Sequence, residues 1–306
     1  MKTKKIFALI ILGTLLQLGV FAQNDVQISN FMFCGQTYNP AFAGYTKNIN
    51  ATILARQQWT GFKQAPSTQL LNFALPTNNI GNFGLSVIND KLGFEKSISM
   101  RVAYAYPFSL SENSYISAGV CAGFINRSIE GTSLHYEDKN TFDPSGIYNN
   151  TSEFLPTIDM GILYYDKKLT LGASSTHLTK SAPKATFYDA SRHYYIFGSY
   201  KIPFNETMIL VPSVYFKNSK FISQFEANAN LMFGDKLWTG LSYRWKESIV
   251  GLFGIKIIKS FKVGYSYDFN IGDVKPYSYG SHEIFLNYSP EKSEKSIYYK
   301  TPRLFN

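Results

Sequence analysis

Apolar and small polar residues alternate along many segments of this 306-residue chain. In "VGYSYDFN", Val263 to Asn270, apolar and aromatic side chains fill every second position, and Gly, Ser, Asp and Asn fill the others. Because successive side chains of a β-strand point to opposite faces, this segment predicts a strand with one apolar and one polar face. The pattern recurs in "KSISMRVAYAY" from Lys96 and in "KLWTGLSYRW" from Lys236. Each such strand must therefore have an apolar environment on one face and a polar environment on the other.

About fourteen strands of this kind fit between residues 48 and 289, at roughly 17 residues for each strand with its connection, which suits membrane-spanning strands. They are predicted near 49–59, 67–75, 82–89, 95–107, 114–126, 154–165, 168–177, 193–202, 207–217, 221–233, 236–246, 248–258, 261–270 and 281–289. Connections after even-numbered strands are short, whereas the three longest, around 127–153, 178–192 and 270–280, follow odd-numbered strands. An even-stranded barrel with both termini in the periplasm predicts this parity.

The second strand face distinguishes a membrane barrel from a soluble sandwich. The outward faces of a sandwich usually carry many charges. Here that face is mostly Gly, Ser, Ala and Asn with isolated charges, and only 17% of all residues are charged. The 22 Tyr and 25 Phe suit lipid-facing strands with aromatic girdles. We therefore predict an all-β fold, a transmembrane antiparallel β-barrel of about 14 strands with both termini periplasmic.

The N-terminal region predicts export. Three lysines precede the apolar run Ile6 to Phe21, and Ala22 provides a small residue for cleavage. This is typical of a secretory signal peptide at residues 1–22, whereas an uncleaved membrane anchor would need about 20 apolar residues and no cleavage site. Export and the barrel pattern together predict an outer-membrane location.

The remaining chain divides into three parts. We predict an N-terminal periplasmic or plug segment at 23–47, the outer-membrane barrel at 48–289 and a periplasmic C-terminal tail at 290–306. Removing the signal peptide lowers the formal net charge from +9 to +6, because it contains three lysines and no acidic residue. This charge is diffuse, so no nucleic-acid partner is predicted. Whether Cys34 and Cys121 form a disulfide stays open, because the sequence does not give their separation.

No catalytic or metal-binding motif stands out. The four histidines, His135, His177, His193 and His282, are scattered, and no two have a typical ligand spacing. We therefore predict no metal, no cofactor and no enzymatic activity. An outer-membrane hydrolase using His282 and Glu283 with a distant serine is the enzymatic alternative, but adjacent strand residues point to opposite faces.

Charged and aromatic residues within the strands are the candidate site residues. Arg56, Arg101 and Arg244 lie in predicted strands, and we expect them either to form a lumenal charge network with acidic residues such as Asp159, Glu226 and Asp268 or to bind a polypeptide. The candidate lumenal or partner-binding residues are Arg56, Arg101, Arg244, Asp268 and Glu283. The candidate membrane-interface anchors are Trp59, Trp238, Trp245, Tyr265 and Tyr267.

An ordered set of short motifs resembles the PorP/SprF family of type IX secretion system membrane proteins, which occur in gliding and secreting Bacteroidetes. The motifs are "YNPAFAG" from Tyr38, "RQQWTGF" from Arg56, "APST" from Ala65, "THL" from Thr176, "SRHYY" from Ser191, "WTGLSYR" from Trp238, "GYSYD" from Gly264 and "GSHEIFLNY" from Gly280. They span nearly all of the chain after the signal peptide.

This resemblance implies a non-catalytic role in protein secretion and gliding motility. The implied partners are outer-membrane lipid, an exported adhesin-like protein with a type B C-terminal sorting domain, a periplasmic OmpA-like peptidoglycan-binding lipoprotein and the type IX ring components. The lumen or the extracellular loops would hold the exported domain, and the periplasmic turns and termini would contact the cell-wall-bound components. The alternative function is a passive outer-membrane channel for small solutes.

Overall fold

The computed structural model describes residues 25–77, 80–134, 146–179, 191–220, 222–234 and 236–290. The predicted signal peptide and residues 291–306 of the predicted tail lie outside this described part. The strands are β1 (Asn50–Gln57), β2 (Ser67–Leu75), β3 (Asn82–Leu92), β4 (Glu95–Ser109), β5 (Tyr115–Ile129), β6 (Thr151–Tyr165), β7 (Leu169–Thr176), β8 (His193–Tyr200), β9 (Ile202–Pro203), β10 (Met208–Ser219), β11 (Ser223–Phe233), β12 (Leu237–Arg244), β13 (Ser248–Ile258), β14 (Phe261–Asn270) and β15 (Ser281–Tyr288).

The strands form one closed antiparallel sheet. Neighbours in sequence pair with each other, and β1 pairs with β2 on one side and with β15 on the other. Strands β8 and β9 both pair with β10 and lie on either side of Lys201, so they are two parts of one barrel strand. The result is a closed fourteen-stranded barrel, which confirms the predicted fold class.

The barrel has two distinct ends. We call the end where β1 begins and β15 ends the terminal end, and the opposite end the loop end. Short connections such as 166–168 and 259–260 lie at the terminal end, whereas the long connections 130–150, 177–192 and 271–280 begin and end at the loop end. That the terminal end faces the periplasm stays a prediction.

The turn between β6 and β7 shows how a terminal-end hairpin is fixed. The Asp166 carboxylate accepts hydrogen bonds from the backbone N–H groups of Lys168, at 2.6 Å, and Leu169, at 2.7 Å. The bonds from Leu169 and Lys168 hold the pKa of the Asp166 carboxyl below its usual value. Such a local carboxylate–backbone motif favours the tight turn over other conformations.

Strand alternation separates an outer apolar face from a lumenal polar face. In β4, the outer face carries Ile98, Met100, Val102, Tyr104 and Tyr106, all exposed, and the lumenal face carries the buried Ser99, Arg101, Ala103 and Ala105. In β14, Tyr265 and Phe269 are exposed, and Ser266 and Asp268 are buried. The apolar side of "VGYSYDFN" therefore lies on the outside of the barrel, as the sequence predicts.

The N-terminal segment lies inside the lumen. Residues 25–45, which we call the plug, contain three short 3₁₀ helices, Phe31–Phe33, Gly35–Thr37 and Pro40–Phe42. None of the helices in the described residues is long and apolar enough to cross a membrane. Most side chains from Ile28 to Ala43 are buried. The assignment of residues 23–47 as a separate domain stays a prediction.

The plug runs along the whole barrel. Asp25 lies beside His177 and His193 at the loop end, and the Tyr45 hydroxyl lies 3.3 Å from the Thr170 hydroxyl near the terminal end. The first described residue therefore lies at the end of the barrel opposite to the end of β15. Residues 45–49 then lead directly into β1.

Glycines in the wall allow plug atoms to come close to the strand backbone. A Cβ atom at Gly119 of β5 would lie 2.3 Å from the Ala41 nitrogen, and one at Gly161 of β6 would lie 2.2 Å from Asn39 Oδ1. Asn39 in turn donates to the carbonyl oxygen of Ile162, at 3.0 Å. Glycine is used in strands where another backbone approaches closely.

The two cysteines are both free and buried, so they form no disulfide in this structure. Cys34 belongs to the plug and packs with Leu54 and Phe285. Cys121 lies on the lumenal face of β5 with Ala103 and Ala105. They are two small apolar residues in separate clusters, which answers the question that the sequence left open.

A cation on the outer face tests the lipid contact. Val102 lies at the centre of β4 with 53% of its surface exposed. We expect Val102→Arg to destabilise the membrane-inserted barrel by about 2–4 kcal/mol, because a charge at mid-depth faces hydrocarbon. Urea unfolding in lipid vesicles measures this change, with Val102→Leu as the control. Equal stability of both variants would contradict the assignment of faces.

A methyl group at Gly119 tests the contact between plug and wall. Since its Cβ would clash with plug backbone, we expect Gly119→Ala to destabilise the barrel by about 1–3 kcal/mol. Gly251→Ala is the matched control, because no atom lies within 4 Å of a Cβ added there. Chemical unfolding in detergent compares the two, and a Gly119→Ala barrel as stable as Gly251→Ala would show that the plug is not held against β5.

Candidate functional site

Five charged side chains meet in the lumen near the loop end. They are Arg56, Glu226, Arg244, Asp268 and Glu283, which we call the lumenal charge cluster. Asp268 bridges both arginines, at 2.7 Å from Arg56 and 2.8 Å from Arg244. Glu283 lies 3.2 Å from Arg56, and Glu226 lies 2.9 Å from Arg244. All five side chains are at most 1% exposed, so charge pairing is necessary for their burial.

The plug completes this cluster. The backbone N–H groups of Ser29 and Asn30 donate to the Glu283 carboxylate at 2.9 and 2.7 Å. The Ser29 hydroxyl donates to Asp268 at 2.8 Å and accepts from Arg56 at 2.9 Å. Bonds to charged groups are stronger than neutral ones, so the cluster fixes the plug at these two residues.

Arg101 forms a second lumenal ion pair. Its guanidinium lies 3.2 Å from Asp159 and donates to the carbonyl oxygen of Thr37 in the plug at 3.0 Å. Asp159 also accepts from the backbone N–H of His177, at 3.0 Å. Of the five candidate lumenal residues, four therefore belong to the charge cluster, and Arg101 belongs to a separate pair that also contacts the plug.

Trp238 lies inside the barrel. Its side chain is 2% exposed, and its ring centroid lies 5.1 Å from that of Phe33 in the plug and 6.1 Å from that of Phe285. The prediction that it anchors the barrel at a membrane interface is therefore wrong. The alternation of side chains along β12 already indicates a lumenal position for Trp238, because it lies on the same strand face as Gly240 and Arg244.

The other aromatic candidates do not point into the packed lumen. Trp245 is 59% exposed after the end of β12, and Tyr265 is exposed on the outer face of β14. Tyr267 is half-buried and packs against the rings of Phe269 and His282. Trp59 is half-buried at the loop end, where its backbone N–H donates to Ser281 at 3.1 Å. Their role as interface anchors stays a prediction.

Two loop-end connections are joined into a rigid unit. Backbone bonds of 2.8 Å run from the Thr60 N–H to the Gly280 carbonyl and from the Tyr279 N–H to the Thr60 carbonyl. The Tyr279 ring covers Gly61, whose φ is +90°, a backbone conformation that residues with a side chain rarely adopt. We call residues 58–66 with 271–280 the loop platform. It holds Tyr279, 81% exposed, in a fixed position.

A cavity of about 350 Å³ opens below the loop platform. Its lining includes Gln58 and Trp59 of the platform, Asp25 of the plug, Asp90 of β3 and Glu247. The floor of the cavity is therefore plug, and its walls are loop-end strand termini. Three acidic side chains line it, so the mouth favours cationic groups.

Asp25 joins the plug to the wall in a cluster that sequence reasoning missed. Its carboxylate lies 2.8 Å from His177 Nε2, and its backbone N–H donates to His193 Nε2 at 3.3 Å. Burial alone would raise the pKa of the Asp25 carboxyl, but the two imidazoles hold that pKa well below its usual range. The histidines stand 16 positions apart in sequence and meet only because β7 and β8 pair, Thr176 with His193.

The enzymatic alternative gains no support from the site. His282 lies on the outer face, where it bonds to the Tyr265 hydroxyl at 2.7 Å, and Glu283 lies in the lumen on the plug. Adjacent residues of β15 thus point to opposite faces, as the sequence predicts. These two side chains cannot act on one substrate.

Removing one charge tests the lumenal cluster. Asp268→Asn keeps the shape of the side chain but leaves Arg56 and Arg244 short of a counter-charge, so we expect a loss of about 3–5 kcal/mol in unfolding free energy. Asp273→Asn, on an exposed loop residue, is the matched control. Chemical unfolding of the purified barrel measures both, and a loss below about 1 kcal/mol for Asp268→Asn would contradict the argument.

Solved structures with a similar fold are outer-membrane transport proteins. The Ralstonia pickettii toluene transporter TbuX aligns with a TM-score of 0.50 and 10% identity, over 83% of this chain and 92% of that chain. The monoaromatic hydrocarbon channel CymD aligns with a TM-score of 0.49 and 12% identity, over 89% and 95%. At this identity, the likeness to TbuX shows the fold alone.

Comparison with protein families gives the identity of the chain. None of the curated proteins compared with it matches significantly. The model of the family described as type IX secretion system membrane protein PorP/SprF matches residues 20–288. This range includes the plug, all fifteen strands and every motif that carried the resemblance. The chain therefore belongs to the PorP/SprF family of type IX secretion system membrane proteins, and its barrel lies in the outer membrane.

Proposed function

We propose that this chain is a non-enzymatic barrel of the type IX secretion and gliding machinery, which binds and anchors an exported surface protein at its loop end. The partner would be an adhesin-like protein, recognised through its C-terminal sorting domain. The observation that carries this proposal is the filled lumen, because the plug occupies the space that a solute or a secreted chain would need.

The lumenal charges support binding outside the lumen. Ser29 and Asn30 satisfy Asp268 and Glu283, so a partner entering here would first have to replace these bonds. An unpaired buried charge costs several kcal/mol. A passive channel for small solutes needs a path that the plug fills, which makes that alternative the weaker one.

The loop platform supports a docking role. Tyr279 is exposed, yet its backbone N–H donates to the Thr60 carbonyl and the neighbouring Gly280 carbonyl accepts from the Thr60 N–H. Binding a partner here would therefore order little additional chain. Exposed, rigid tyrosines are frequent energetic anchors in protein interfaces. Tyr277 and Phe62, also exposed, lie on the same platform.

The terminal end would contact the periplasmic components. Its turns present the exposed lysines Lys167, Lys168 and Lys259. In the predicted orientation these turns face the periplasm, where the peptidoglycan-binding OmpA-like lipoprotein and the ring components would bind. Anchoring at one end and attachment at the other would connect the exported protein to the cell wall.

A pull-down from the native outer membrane tests this function. We expect the tagged barrel, after mild crosslinking, to recover a large surface protein with a C-terminal sorting domain together with periplasmic type IX components. Tyr279→Ser is expected to reduce recovery of the surface protein about tenfold or more, since loss of an interface anchor costs about 2 kcal/mol. Mass spectrometry quantifies both.

The matched control is Phe204→Ser, which removes an exposed aromatic from the terminal end instead. It should leave recovery of the surface protein unchanged. A barrel recovered alone after crosslinking, combined with steady conductance in planar bilayers, would overturn anchoring in favour of the channel function. Loss of the partner with Phe204→Ser but not with Tyr279→Ser would place binding at the wrong end for this proposal.

A further inference from the structure

Three side chains that can bind a metal ion meet where the plug reaches the loop end. Asp25 comes from the plug, His177 follows β7, and His193 begins β8. Their candidate ligand atoms all lie within 4.8 Å of one another. Both histidines belong to the motifs "THL" and "SRHYY" of the sequence, to which the anchoring function assigns no role.

Neighbouring groups orient both imidazoles toward Asp25. His193 Nδ1 lies 2.8 Å from the carbonyl oxygen of Ser191. Since a carbonyl only accepts, Nδ1 carries the proton, and the lone pair of Nε2 accepts the Asp25 backbone N–H at 3.3 Å, a bond that a metal ion would replace. His177 Nδ1 lies 3.1 Å from the Thr157 hydroxyl, and its Nε2 carries the proton of the 2.8 Å bond to the Asp25 carboxylate. A metal ion bound at Nε2 would displace this proton, which would move to solvent or to Nδ1, where the Thr157 hydroxyl can accept it. Metal-binding histidines are typically held in this way, by a bond from the nitrogen that does not bind the metal.

The backbone at His177 is also held in an unusual conformation. Its φ is +56°, a left-handed value that costs free energy for a residue other than glycine and that the surroundings must maintain. The bond from its backbone N–H to Asp159 supplies part of this constraint. The conformation brings the imidazole over Asp25.

The remaining surroundings can accommodate a cation. The Tyr195 hydroxyl donates to the Asp25 carboxylate, and the Lys217 ammonium donates to the Asp25 backbone carbonyl at 3.1 Å rather than to the carboxylate. Arg101 is paired with Asp159. The 350 Å³ cavity and a smaller one of about 70 Å³ both border Asp25, so water can supply a further ligand.

We propose that Asp25, His177 and His193 bind one Zn²⁺ ion, which attaches the start of the plug to the wall at β7 and β8. Two imidazoles and one carboxylate suit Zn²⁺, whereas Ca²⁺ and Mg²⁺ prefer oxygen ligands throughout. Metal–ligand distances of about 2.0–2.2 Å place tetrahedral ligands roughly 3.3 Å apart. The three side chains therefore have to move by about an ångström from their present hydrogen-bonded positions.

Zinc titration of the full, purified barrel tests this site without any partner protein. After treatment with EDTA and removal of the chelator, calorimetry at neutral pH should show one Zn²⁺ bound per barrel. Co²⁺ added in its place should give the strong visible absorption of tetrahedral coordination. Zinc should also raise the Tm of the barrel, and EDTA should reverse the rise.

Histidine variants locate the ion. His177→Gln and His193→Gln should each weaken zinc binding about tenfold or more. His282→Gln, on the outer face, is the matched control and should bind like the wild-type barrel. Equal affinity in all three variants, or equal loss in His282→Gln, would place the ion elsewhere and overturn the proposal.

Folding is checked by the shift in electrophoretic mobility on heating. If a His177 or His193 variant does not fold, the wild-type barrel decides, because an unchanged Tm with zinc overturns the site. Since no partner is needed, failure of the zinc site and failure of the anchoring function are independent results.

Discussion

The pairing of buried charges in the lumen is the constraint on which the rest of the structure depends. Two arginines and three carboxylates are enclosed, and each would cost several kcal/mol if left without a partner. The strands provide the charges, but Ser29 and Asn30 of the plug provide donors that Glu283 and Asp268 still need. The plug therefore contributes to the stability of the wall, and plug and barrel form one bonded unit.

Strand alternation makes room for this arrangement. One face carries the apolar and aromatic side chains for lipid, and the other is limited to small and polar residues. Gly119 and Gly161 carry no side chain, so Ala41 and Asn39 of the plug can approach the backbone of β5 and β6. A barrel with its lumen filled in this way has protein surface free of both lipid and plug only at its two ends, which supports the proposal that partners bind there.

The sequence predicted the strands and their faces because a period of two is a local property. The sequence predicted that Arg56 and Arg244 pair with acidic residues in the lumen. It did not predict which acid pairs with which arginine, because that depends on the register between neighbouring strands. Trp238 was misplaced because its residue type was weighed above its parity. The meeting of His177 and His193 could not be predicted from spacing, since it follows from the pairing of β7 with β8 and from the path of the plug to Asp25.

The seam that closes the barrel explains why the plug and the wall stabilise each other. Strands β1 and β15 are farthest apart in sequence, and Arg56 pairs directly with Glu283 across them. The same Glu283 carboxylate accepts the backbone N–H groups of Ser29 and Asn30. Separating β1 from β15 would therefore weaken the bonds that hold the plug. Removing the plug would leave the Glu283 carboxylate without two of its hydrogen-bond donors. Because the plug continues directly into β1, chain connectivity brings it to the seam when that strand pairs, so closure and filling of the lumen depend on the same few bonds.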